Sequence, residues 1–110
     1  MPTVAKVLGQ SKPSATTLTD VYTVPALTTA TVSTLIVANQ SATATSFRVS
    51  VAIAGAADDP EQYVYYDIAI PGNDTFAATM GITMGATDVL RVYNTLATCS
   101  FSVFGVEITA

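Results

Sequence analysis

The chain is 110 residues long and half apolar, with 11% charged residues and a formal net charge of −4. That is the length of one domain, carrying well under the share of charge usual in soluble domains, about 25%. With no histidine and one cysteine, Cys99, it excludes an internal disulfide and the common zinc, copper and iron ligand sets, and four scattered cations leave nucleic acid without its main driving force.

Residues 1–16, MPTVAKVLGQSKPSAT, mix small polar residues with two prolines and show no periodicity. They are expected to form an extended N-terminal arm ahead of a folded domain at 17–110. Val4, Val7 and Leu8 are the arm's apolar residues and the expected contacts with a neighbouring subunit. The arm holds no apolar run of the kind a signal peptide needs. No apolar stretch anywhere reaches the ~18 residues that span a bilayer, so neither export by a visible leader nor a membrane partner is expected.

From residue 18 the punctuation is regular. LTDVYTV (18–24) stops at Pro25, and TATVSTLIVAN (29–39) stops at a Ser/Thr-rich stretch. SFRVSVAI (46–53) alternates strictly, with Phe47, Val49, Val51 and Ile53 on one face, the period of a half-buried strand. The pattern predicts a β-hairpin here: a strand at 31–38, a turn at 39–45 and a strand at 46–53. AGAADDPE (54–61) reads as a loop and QYVYYDIAI (62–70) as the next strand, ended by PGND. TFAATMGI (75–82), DVLRVYN (88–94) and TCSFSVFGVEI (98–108) complete seven strands. No stretch carries a 3.6-residue period. Short strands with regular breaks predict an all-β fold: a single antiparallel β-sandwich, jelly-roll or Ig-like, of about seven to eight strands.

Two strands place apolar residues on both faces. In the last one, Cys99, Phe101 and Val103 share a face while Phe104, Val106 and Ile108 share the other, which predicts a bulge near Phe104 or cover on both sides. Tyr63 and Tyr65 alternate with Val64 and Tyr66 in the same way. Two-sided strands in a small sandwich point to a homo-oligomer, with Val4, Val7, Leu8, Tyr63, Tyr65 and Phe104 as interface candidates. TDVYTV (19–24) also echoes TDVLRV (87–92), and ATSFRVSV (44–51) echoes ATCSFSVFGV (97–106). Such echoes arise from related sheet halves or simply from alternating strands in a small alphabet.

Chemistry-bearing constellations are sparse. Serine and threonine have no histidine to act as base, no two acids are marked as a pair, and phosphate-binding glycine loops are absent, so no catalytic residue, metal ligand or cofactor is expected. Asp58, Asp59 and Glu61 could offer oxygens to Ca²⁺, but their spacing departs from the known loop, and a solvated acidic turn is the simpler account. Cys99 reads as a small buried hydrophobe. Asp67 is the most unusually placed acid, inside a strand between tyrosines and apolar residues. Tyr63, Tyr65, Tyr66 and Asp67 are the residues that would bind sugar if the protein attaches to a host-surface glycan, with Tyr93 as a further aromatic.

The chain is similar, from Leu8 nearly to its end, to a group of small bacteriophage virion proteins encoded among tail and fibre genes. The resemblance is carried by VYTVP (21–25), VSTLIVANQSATATSFRVSV (32–51), YVYYDIAIPGNDTF (63–76) and FGVEI (104–108). Where the group often has an arginine after the asparagine, this chain has Gln40, which removes one intersubunit cation. The resemblance implies a non-enzymatic structural component of the virion, assembled in the host bacterial cytoplasm and present in multiple copies. Its expected place is the tail, baseplate or fibre, with capsid decoration (a cement protein) and a carbohydrate-binding host-attachment module as alternatives. Its expected partners are itself, as a trimer or higher, and other virion proteins.

Overall fold

Alternating β-branched and aromatic residues do build strands wherever they recur. The computed structural model describes residues 2–109. It contains β1 (Thr3–Ser11), β2 (Thr19–Thr23), β3 (Thr28–Asn39), β4 (Thr45–Ala52), β5 (Tyr63–Ile70), β6 (Thr75–Met84), β7 (Val89–Asn94) and β8 (Cys99–Thr109). Two single-turn 3-10 segments, Ile53–Gly55 and Pro60–Gln62, lie between β4 and β5. The strands form two four-stranded sheets, sheet I in the order β1-β8-β3-β6 and sheet II in the order β2-β7-β4-β5. Every pairing is antiparallel. The all-β class and the sandwich of two antiparallel sheets are as the sequence predicts. Among the described residues no helix is long and apolar enough to cross a membrane.

Two expectations need correction. The arm expected at 1–16 is a strand over most of its length: β1 pairs with β8 from Thr3↔Ile108 to Ser11↔Phe101, and Leu8 enters the core. Its period was hidden because β1 is an edge strand, exposed at every position from Thr3 to Val7, so nothing imposes alternation on it. Residues 1 and 110, the outer limits expected for arm and domain, lie outside the described residues. The hairpin expected at 31–53 does not form either. β3 is flanked by β8 and β6, and β4 by β7 and β5, so the intervening segment crosses from one sheet to the other. Period two reports which face a residue takes and says nothing about which strand lies beside it.

Buried asparagines hold this crossing and the connections beside it. The Asn39 amide donates to the carbonyls of Thr43 (2.9 Å) and Pro71 (3.1 Å), and its Oδ1 accepts from Ser41 N (3.2 Å). Asn94 donates to Ser46 O (2.8 Å) and accepts from the backbone N–H groups of Thr98 and Cys99, both at 3.0 Å. Each satisfies backbone groups that an irregular connection would otherwise bury unpaired.

The core lies between the sheets. Val32, Leu35, Val37, Phe101 and Val103 come from sheet I and meet Phe47, Val49, Leu90 and Val92 from sheet II. Phe47 sits among rings from both layers, with centroids 5.1 Å from Phe76, 6.0 Å from Phe101 and 6.4 Å from Tyr65. β8 keeps its alternation throughout. The irregularities opposite Phe104 fall on its neighbours, with the register shifting between Val7 and Gly9 on β1 and between Val32 and Thr34 on β3. The β1 bulge turns Leu8 inward and brings Gly9 against sheet II, where a Cβ would stand 2.1 Å from Val21 O. The TDVYTV and TDVLRV segments are hydrogen-bonded neighbours, β2 and β7, whereas the other two echoing segments lie in opposite sheets. No single duplication relates both pairs.

Candidate functional site

Charge is divided unequally between the two outer faces. On sheet I, Val7 pairs with Phe104, Ala5 with Val106 and Thr3 with Ile108. On the other side of β8, Thr34 pairs with Phe104, Ile36 with Ser102 and Thr31 with Val106. Directly paired residues share a face, so Phe104, Val106 and Ile108 form an apolar stripe along the outside of sheet I. Val7 and Ile36 widen it, within a field of Ser, Thr and Ala. Val7 is 47% exposed, and Phe104, Val106, Ile108 and Ile36 are half-buried. Among the described residues no charged side chain projects from the paired strands on this face, while Lys12, just past β1, lies at its edge beside Ser100 and Ser102.

The outside of sheet II is the reverse. Arg91 Nε donates to Asp20 Oδ1 (3.0 Å), while its terminal nitrogens donate to Ala56 O (2.7 Å) and Gly55 O (3.1 Å). This fastens the β4–β5 connection over the sheet and buries Ser50 and Ala52 beneath it. Next to it stands Arg48, from the polar side of the strictly alternating β4. Its Nε and Nη2 reach Asp67 Oδ1 and Oδ2 at 2.6 and 3.3 Å. Its guanidinium lies 4.1 Å from the Tyr66 ring centroid and 4.4 Å from that of Tyr93, within cation–π range of both. The Tyr63 and Tyr66 rings meet edge to face at 5.1 Å. Arg48, Asp58, Pro60, Tyr63 and Tyr66 line an open cleft of about 440 Å³.

β5 brings these side chains together by breaking its own register. Its pairing with β4 shifts once between Phe47 and Val49 and again between Val49 and Ser50. Within the first shift Asp67 adopts a left-handed φ of 53°. Tyr65 and Ile68 remain against the core, while Tyr63, Tyr66 and Asp67 all lie on the outer side. An unbroken strand would have put Tyr63 and Tyr65 on one face.

The sequence candidates therefore separate. Val7 and Phe104 are paired on the outer face of sheet I. Val4 is exposed on β1, opposite Glu107. Leu8 and Tyr65 are committed to the core and leave both the interface and sugar-binding sets. Tyr63, Tyr66 and Asp67 converge as the sugar-binding set requires. Asp58, from the acidic stretch noted in the sequence, joins Arg48 and Pro60 in completing the cleft, and of these Arg48 and Pro60 were not singled out from sequence. A lone cation on the polar side of a perfect alternation was the available signal for Arg48.

The remaining titratable groups are structural. Burial pushes the Cys99 thiol up, leaving little thiolate to react. The Glu61 carboxyl is raised by the hydrogen bond its protonated form donates to the Asp59 carboxylate and by the charge of Asp59. Among the described residues no three acids or other metal-binding side chains converge. Across the open end of the sandwich, Tyr22 Oη donates to Glu107 Oε2 at 2.5 Å, and Lys6 Nζ lies 3.4 Å from Oε1. The Tyr22 hydrogen bond, with Lys6, holds Glu107 below the ordinary carboxylate range. Burial first, and Glu107 second, raise the Tyr22 phenol well above its own. The lowered acid adds stability that is present at neutral pH and lost as pH falls through its folded-state pKa. The raised phenol adds stability that is lost as pH climbs above 10. Tyr22→Phe is thus expected to cost about 1.5–3 kcal/mol at pH 7, the range for a hydrogen bond to a charged group. The gap to the unaltered chain should narrow at both pH extremes in urea denaturation, and a pH-independent gap would contradict the assignment.

Comparison of the chain with protein-family models and with curated proteins finds no match in either.

Proposed function

We propose that this chain is a non-enzymatic structural component of a bacteriophage virion, present in multiple copies and packed through the outer face of sheet I. The observation that carries the reading is the apolar stripe of Phe104, Val106 and Ile108 flanked by Val7 and Ile36, on paired strands that put no charge on this face. Such strands can lie against their copies with no like-charge contact and no ion to desolvate along the stripe, Lys12 standing at the rim. Four strands at ~4.8 Å spacing, over about nine residues at ~3.3 Å, offer roughly 600 Å² per copy. Two copies then clear the roughly 1,000 Å² expected of a specific interface. The acids support a structural rather than catalytic role: Asp20, Asp67 and Glu107 are each engaged by Arg91, by Arg48, or by Tyr22 and Lys6.

The finer fold belongs to the same proposal. We read the sandwich as a jelly roll rather than an Ig-like domain, supported by the nested pairs β1–β8, β2–β7, β3–β6 and β4–β5. That is one long hairpin rolled into two sheets, an architecture found in viral capsid and lectin domains. Fold alone does not assign function, and the place on the tail, baseplate or fibre rests on the sequence resemblance.

Light scattering coupled to size exclusion tests the assembly. The chain is expected to elute as a multiple of its 11.4 kDa mass, and Phe104→Glu is expected to reduce it to a monomer with unchanged circular dichroism. A monomer at every concentration would overturn packing through this face. Labelling intact particles with an antibody to this chain tests the station. Signal on the tail or fibre supports it, signal over the head moves the protein to capsid decoration, and no signal on purified particles removes it from the virion.

A further inference from the structure

We infer that the cleft on sheet II binds a neutral saccharide, with Tyr66 and Tyr63 as the stacking surface and Asp58 and Arg48 as the polar groups. The inference goes beyond the virion assignment and concerns the opposite face of the molecule. Bulges re-aim side chains at functional sites, and β5 has two register breaks within eight residues. Their result is to present Tyr63, Tyr66 and Asp67 together while Tyr65 stays in the core. A non-glycine residue held at positive φ within a strand is a strained arrangement, here kept in place by the two-point contact from Arg48 to Asp67. Tyr66 nonetheless remains 57% exposed, and the cleft volume of about 440 Å³ falls in the range of small-ligand sites.

The charges select the ligand class. Arg48 is neutralised by Asp67, so Asp58 leaves the lining with a net negative charge, which disfavours phosphates, sialic acids and other anions. A cation is disfavoured too, because Arg48 already occupies the cation position over Tyr66 and Tyr93. A neutral sugar meets both conditions. Its C–H face packs on the electron-rich surface of a tyrosine ring, and its hydroxyls can donate to the Asp58 carboxylate and accept from Arg48. Burial first, and then the hydrogen bond to Asp58 and its charge, raise the Tyr63 phenol.

The test is an array of glycans ending in neutral hexoses and N-acetylhexosamines, with sialylated counterparts, probed with the full chain and followed by titration calorimetry on the best binder. Binding is expected among the neutral glycans, weakened about tenfold or more by Tyr66→Ala and several-fold by Asp58→Asn. Both residues are exposed, and both variants are expected to keep the circular dichroism spectrum and light-scattering mass of the unaltered chain. No binder on the array, a preference for sialylated glycans, or affinity unchanged in both variants would overturn the inference. Assembly through sheet I can fail while sugar binding survives, and the reverse, because the two readouts come from opposite faces.

Discussion

Truncating Phe47 to alanine is expected to cost about 3–5 kcal/mol, the range for a large aromatic removed from a packed core. The side chain is fully buried, and its ring touches Tyr65 from its own sheet and Phe76 and Phe101 from the other. The loss therefore opens a void at the junction of the two layers, where neither sheet can close it alone. Small domains have total stabilities of about 5–15 kcal/mol, so the variant should unfold at a much lower urea concentration, or fail to fold at 37 °C. Phe47→Leu restores much of the volume and is expected to recover more than half of the loss. A Phe47→Ala change below about 1 kcal/mol would mean that the rings do not tie the sheets together.

Asn94→Ala is the second large effect, and it arises without any loss of apolar surface. The residue is fully buried, and its amide serves Ser46 O, Thr98 N and Cys99 N. Removing it strands the Thr98 and Cys99 N–H groups at the β7–β8 connection, each costing about 1–3 kcal/mol if water cannot reach it, while Ser46 O keeps its bond from Thr95 N. A total of about 3 kcal/mol or more is expected by denaturant titration, with accelerated amide exchange at Thr98 and Cys99 as its local signature. Unchanged exchange there would show that the side chain is not what holds the connection.

Strand positions were legible because burial on one side of a sheet forces period two, and β4 displays it without a break. Partnership was not legible. The run through 31–53 has the local pattern of a hairpin, and what separates β3 from β4 is a set of distant contacts, Asn39 with Pro71 O and Asn94 with Ser46 O. The β1 strand was missed because five consecutive exposed positions at a sheet edge carry no pattern. At the candidate cleft, tyrosines at 63, 65 and 66 were visible as a group, but the register breaks that send Tyr65 inward leave no trace in a run of similar aromatics. Arg48 acquires its role only once Asp67, Tyr66 and Tyr93 surround it, and those come from two other strands.

The position of β8 has a consequence for how the chain is made. It runs between β1 and β3, and among the described residues it is the only strand with which β1 pairs. During translation β1 leaves the ribosome first yet waits, with both edges open, until Cys99–Thr109 has also emerged. Sheet I therefore cannot close co-translationally in the order in which its strands appear. The nascent chain holds unpaired, charge-poor strands until β8 is made, the condition in which slow, non-local β pairing competes with aggregation. Yield of folded protein should accordingly respond to expression temperature and chaperone supply more than the stability of the finished sandwich would suggest.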